Sequence, residues 1–196
     1  MPKTKQTIKE LFELWKKQEG HQFFCEDGII DNDTFNNETT KLLFVAKESN
    51  VPSDGKNDFF WLKAVAFNKE DVKKAIASFR ISLMANAYFD NEFTIANTDH
   101  NVLKRIAYMN INKRGGTNKS VDSEIEKYAS DYRDFITREI ELISPKVIFC
   151  CSPVVYKIIK SIVKNDNIKL LNVHHPSNHY VSYAEVLKNL KNELER

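Results

Sequence analysis

Four short apolar runs separated by longer amphipathic stretches set the plan of this chain. Lys41 to Ala46, Arg105 to Ile111, Lys146 to Cys151 and Ile168 to Val173 are each continuous rather than alternating, the pattern of strands buried on both faces of a parallel sheet. Between them the apolar period lengthens to that of helices. Thr7 and Glu10 form a capping box, Ile8, Leu11, Phe12 and Trp15 follow at helical spacing, and Gly20 supplies the stop. Leu62 to Phe89 reads as two helices with a break near Asn68 to Asp71. Ser123 and Glu126 read as a second capping box, opening a helix that turns Ile125, Tyr128, Tyr132, Phe135 and Ile136 inward and is barred by Pro145. Ser152-Pro153 fits an N-cap followed by proline at the first helical position, with Val155, Ile158, Ile159 and Ile162 inward, and a last helix starts near Ser182. Asp27-Gly28 reads as a turn.

Strands alternating with helices predict a parallel sheet covered on both faces, with ligands met at the carboxyl ends of the strands. Those ends are Ala46 to Asn50, Asn110 to Lys113, Ser152 and His174 to Ser177. Each breaks from apolar residues into small, polar and ionisable ones. The polar segment from Ser49 to Asp58 is long enough to be a working loop, and it ends in Phe59, Phe60 and Trp61. Asn112 to Lys119 is expected to leave the sheet as a basic, glycine-containing loop.

Composition narrows the picture. A chain of 196 residues, 42% hydrophobic, is expected to form one domain spanning residues 1–196. The charged start and the lack of any apolar stretch near the roughly 20 residues of a membrane span predict a soluble cytoplasmic protein. Cys25, Cys150 and Cys151 lack paired metal spacing and are expected to be structural thiols, with no metal and no cofactor. The net charge of +2 is too small for binding nucleic acid by bulk charge, but Lys104, Arg105, Lys113, Arg114 and Lys119 lie between His100 and Val121 with no acid among them. That run is the best local phosphate-binding candidate.

Lys47, Glu48, Ser49 and Asn50 close the first strand, and His174, His175 and Ser177 the last. A carboxylate and a histidine on neighbouring strand ends would form an acid-base pair, one orienting water while the other stabilises charge leaving on the opposite side. The bland alternative is a solvated Lys47–Glu48 pair and a histidine that caps its strand.

These residues, in this order, resemble the uracil-DNA glycosylase superfamily. His175-Pro176-Ser177 matches its HPS motif after the last strand, and AKESN occupies the place of its first motif. Laid on the GQDPY form, Glu48 falls on the catalytic aspartate; laid on the GEAPG form, the glutamate position falls on Lys47. Asn110-Ile111-Asn112-Lys113 looks like the N-x-x-K of the thermophile-type enzymes, whose asparagine reads the uracil edge, and Phe59 or Phe60 stands where the family places the aromatic that stacks on the flipped base. The glycine and proline of the usual first motif are replaced here by Ala46 and Ser49, and three cysteines cannot supply the four ligands of the iron-sulphur cluster found in some relatives.

The resemblance implies an α/β three-layer sandwich with a central four-stranded parallel sheet. It implies an enzyme that hydrolyses the N-glycosidic bond of uracil or a related altered base in single- or double-stranded DNA. Glu48 would position water and stabilise the cationic sugar, His175 would donate a hydrogen bond to the departing base, and Phe59 or Phe60, Asn110 and the backbone at Ala46 and Lys47 would hold that base. Lys113, Arg114, Lys119, Ser177 and Asn178 would contact the nucleic acid, and Tyr180 could act as the inserted side chain. Two rivals stand beside this reading: a related enzyme for a modified base or free nucleoside, and a binding module that keeps the fold without catalysis. A Rossmann-type cofactor enzyme is weaker, since no G-x-G-x-x-G follows a strand.

Overall fold

The computed structural model describes residues 6–20, 23–49, 61–67, 76–96, 98–116 and 120–196. The first helix, α1 (Ile8–Glu19), starts at the expected capping box, with the Thr7 side chain accepting from the Glu10 amide and the Glu10 carboxylate accepting from the Thr7 amide. It stops at Gly20, whose φ of 64° is the left-handed conformation that glycine adopts without strain. Next come β1 (Gly28–Ile29), the short α2 (Asn32–Asn37), β2 (Leu42–Ser49), α3 (Trp61–Phe67) and α4 (Ile76–Asp90). A 3-10 helix (His100–Arg105) leads into β3 (Ile106–Gly115), followed by α5 (Asp122–Asp131), α6 (Arg133–Ile143), β4 (Val147–Cys150), α7 (Pro153–Ile162), β5 (Lys169–Asn172) and α8 (Tyr183–Leu194).

The sheet runs β1-β3-β2-β4-β5. Its last four strands pair in parallel, while β1 pairs antiparallel with β3 through Gly28 opposite Tyr108 and Ile29 opposite Ala107. The expected four-stranded parallel sheet is therefore a five-stranded mixed one. Asp27-Gly28 is not the turn its residue types suggest: Gly28 takes a φ of 120°, and the chain runs straight along the open edge of β3. A two-residue strand carries no period for a sequence pattern to detect.

Side-chain alternation divides the core into two halves. Leu42, Phe44 and Ala46 of β2 face α3, α4 and α8, in a cluster with Tyr108, Phe149, Ile81, Met84 and Leu187. Leu43 and Val45 face α1, α5, α6 and α7, with Met109, Ile148, Trp15, Ile140 and Ile159. By the same alternation Glu48 lies on the first face and Lys47 on the second.

Three boundaries differ from expectation. Ser123 is not an N-cap, because α5 starts at Asp122 after Val121. The expected single helix divides at Tyr132 into α5 and α6, though Tyr132 and Ile136 still bond back four residues. Asn112 to Gly115 stays in β3 instead of leaving the sheet, since Asn112 pairs with Glu48 and Gly115 with Ser49. No helix among the described residues is long and apolar enough to cross a membrane.

Candidate functional site

Glu48 occupies a built position at the carboxyl edge of the sheet. The β2–β3 register shifts between Glu48 and Ser49, an irregularity of the kind that re-aims side chains at strand ends. The Glu48 carboxylate accepts from the Asn112 amide at 3.0 Å, and the chain of β3 then folds over it, tied by the Gly116 amide to the Ser49 carbonyl at 2.8 Å. A Cβ on Gly116 would lie 2.3 Å from the Glu48 carboxyl carbon. Only glycine leaves room for the carboxylate there.

Since the displaced atoms would be the end of a flexible side chain, Gly116→Ala is expected to leave stability within about 1 kcal/mol of wild type, as for most surface changes. It should swing Glu48 out of place. Any activity that depends on Glu48 should then fall by about 10- to 100-fold, the order of loss that a misplacement near 1 Å produces. Thermal unfolding and turnover measured on the same preparation test this, and undiminished turnover would remove Gly116 from the site.

His175 is fixed by its own loop. The Ser177 amide donates to its Nδ1 at 3.1 Å, so Nδ1 carries the lone pair and the ring proton sits on Nε2. The His175 carbonyl accepts from the Asn178 amide at 2.9 Å, closing the turn. Burial, with a smaller contribution from the Lys47 charge, lowers the pKa of His175 to about 4. A ring resonance followed through a pH titration should therefore show a midpoint near 4; a midpoint above 6 would contradict this burial. Between the ordinary value of 6.5 and about 4, the unfolded chain binds a proton that the folded ring refuses. Stability should decline as pH falls through that window, and His175→Asn should lack that component.

The strand order corrects one expectation about this pair. β4 lies between β2 and β5, so Glu48 and His175 are not on neighbouring strand ends. Two strand spacings separate their strands, about 10 Å. Lys47, on the opposite face from Glu48, is bonded to Asp122 at 2.6 Å. Ala46 is buried where its strand meets β3 opposite Asn110.

Asn110 is fully buried and its amide is engaged: Nδ2 donates to Asp27 at 3.3 Å, and Oδ1 accepts from the Tyr108 hydroxyl at 3.4 Å. Asp27 also accepts from the Asn110 backbone amide at 2.7 Å, extending the contact with β3 just before β1 begins. Lys113 requires a correction. Its ammonium is fully buried between Asp27 (2.5 Å) and Glu139 (2.8 Å), with the rings of Phe12 and Trp15 beside it, so it is no phosphate contact. Burial and the neighbouring Asp27 charge push the Glu139 carboxyl well above the ordinary carboxylate range, against the opposing pull of Lys113.

The basic run is also largely neutralised from within. Arg105 is bonded to Glu38 and Arg114 to Glu19, each at 2.6 Å, and the Lys104 ammonium lies over the Phe67 ring. Lys119, Phe59 and Phe60 lie outside the described residues. Ser177 is exposed and Asn178 half-buried, and the ring of Tyr180 beside them is fully exposed.

The cysteines are buried thiols, each held well above the usual thiol range by desolvation. Among the described residues no group of histidine, cysteine or acidic side chains could hold a metal ion. Sequence reasoning missed Asp27, Asn112, Gly116, Glu139 and Arg80. Only Arg80 carried a signal, as the one charge in the apolar stretch from Ile76 to Phe89. No protein-family model matches the chain, and no curated protein matches it in sequence.

Proposed function

We propose that this protein is a DNA glycosylase of the uracil-DNA glycosylase type, removing uracil or a related altered base by hydrolysis of the N-glycosidic bond. The observation that carries the reading is the His175 loop: the Ser177 amide occupies Nδ1, so a neutral imidazole presents Nε2–H as a donor at the carboxyl edge of the sheet. A neutral donor is what a departing base anion needs, since it stabilises the developing charge without a change of protonation.

In the reaction, the bond between the sugar C1′ and the base nitrogen breaks and its electron pair leaves with the base, whose oxygen accepts the His175 hydrogen bond. Glu48 stabilises the cationic sugar, orients a water onto C1′ and takes up its proton, giving an abasic site and the base anion, which takes a proton from solvent as Glu48 releases one. A span of about 10 Å between the two strands suits groups that act on opposite sides of one nucleoside rather than on each other. Exposed Tyr180 is the candidate for insertion into the stack when the nucleotide flips, and Ser177 for a phosphate contact.

Asp27 and Tyr108 take one donor and one acceptor site of the Asn110 amide, leaving one of each on a side chain that is fully buried. The test is incubation with single- and double-stranded oligonucleotides carrying uracil or altered bases, followed by alkaline cleavage, with Glu48→Gln and His175→Ala alongside. Abasic sites formed by wild type and lost in both variants support the proposal and name the base. Binding without release of any base would overturn it in favour of a binding module.

A further inference from the structure

We propose that Arg80 is a positioning residue, which sets the loop from Pro176 to Val181, and through it the ring of His175, by holding three backbone carbonyls at once. Arg80 stands in the second turn of α4, on the helix packed across the sheet face that also carries Glu48. It is buried, and among the described residues it pairs with no carboxylate. Its guanidinium instead donates through Nη1 to the carbonyls of Pro176 (3.3 Å) and Asn178, and through Nη2 to that of Val181 (2.5 Å), with its plane near the ring of Tyr183.

A buried cation is costly unless its hydrogen bonds are satisfied, so its position needs a physical reason. The planar fork supplies one. Two nitrogens at fixed separation in one plane can bridge carbonyls that no strand or helix otherwise orders, a spacing that the single nitrogen of an ammonium does not impose. The bonded carbonyls bracket the residues whose amides fix His175: Ser177 donates to its ring and Asn178 to its carbonyl. Val181, at the far end, donates back to Asn178. The side chain thus ties the loop carrying His175, Ser177 and Tyr180 to the helical layer. The kinetic part of this inference rests on the glycosylase reading; the structural part does not.

The test is Arg80→Lys in the full chain, which keeps the charge and removes the fork, with amide hydrogen exchange read at Ser177, Asn178 and Val181 and 15N shifts read at the His175 ring. In wild type these amides should be protected and the ring should show the Nε2–H tautomer. In the variant, protection at these three should fall by about tenfold or more while amides of β2 and β4 keep theirs, the signature of local rather than global opening. The single-turnover rate should fall by about tenfold or more with oligonucleotide affinity changed less than about threefold, since a misplaced donor harms the transition state more than binding.

Unchanged exchange and tautomer in a folded Arg80→Lys protein would overturn the proposal. So would wild-type amides that exchange at the rate of a free loop, a result that needs no variant to fold. Loss of protection in the variant, with a wild type that releases no base, would leave the clamp standing and sink the glycosylase reading alone.

Discussion

Lys113→Met is expected to destabilise the protein by about 3–5 kcal/mol, the usual consequence of removing one partner from a buried charge pair. Methionine keeps most of the length and apolar contact of the side chain, so the loss isolates the ammonium. Without it the Asp27 carboxylate faces a site with no cation, holding only the backbone and side-chain amides of Asn110, next to the Glu139 carboxyl. Against a total stability of about 5–15 kcal/mol for an ordinary domain, such a loss is large. Urea unfolding should show it as a lower midpoint at unchanged slope. The double substitution Asp27→Asn with Lys113→Met should recover part of the loss, because no unpaired charge remains. If the double variant is no more stable than the single one, the pair is not what holds this region together.

Glu48→Gln is expected to lower the rate of base release by about 100- to 10,000-fold, the range for removal of a general base. Glutamine fits the same space between Asn112 and Gly116 and still offers an acceptor to the Asn112 amide, so fold and oligonucleotide affinity should be retained. The amide cannot take a proton from water or stabilise a cationic sugar as a carboxylate does. His175→Ala should lower the rate by about 100- to 1,000-fold, as for other lost donors to a leaving anion. His175 itself should impose no loss of rate as pH falls from 8 to 5, because it stays neutral until about pH 4. A Glu48→Gln protein that releases base at the wild-type rate would exclude Glu48 from the chemistry.

The parts of the fold that announce themselves through period and capping were legible in the sequence. The four parallel strands lie within a few residues of their apolar runs, and Thr7, Gly20, Ser152 and Ser182 bound helices as their chemistry requires. What escaped were arrangements made by contact rather than by pattern. Asp27, in a dipeptide typical of turns, is recruited by Asn110 and Lys113, which lie more than 80 residues away in sequence. Lys113 reads as part of a basic loop because charge along a chain says nothing about which side chain a strand carries inward.

At the site the residue types were legible but their geometry was not. Glu48 and His175 are at the strand ends expected of them, yet the strand placed between them follows from the order in which β-strands assemble. Gly116 and Arg80 act on these two residues through a missing Cβ and through backbone carbonyls, neither of which leaves a motif.

The segment that delivers Asp27 has a consequence for how these molecules behave in a crowd. β3 is the longest strand of the sheet, and on the side away from β2 its ladder would otherwise stand open, a template onto which a strand of another chain could add. Gly28 and Ile29 fill part of that ladder, the Cys25 amide bonds the Lys113 carbonyl further along, and the Asp27 side chain takes the Asn110 amide in between. Two residues of strand and one carboxylate thus close the edge to intermolecular pairing, and at the opposite margin β5 offers only four residues to a would-be neighbour.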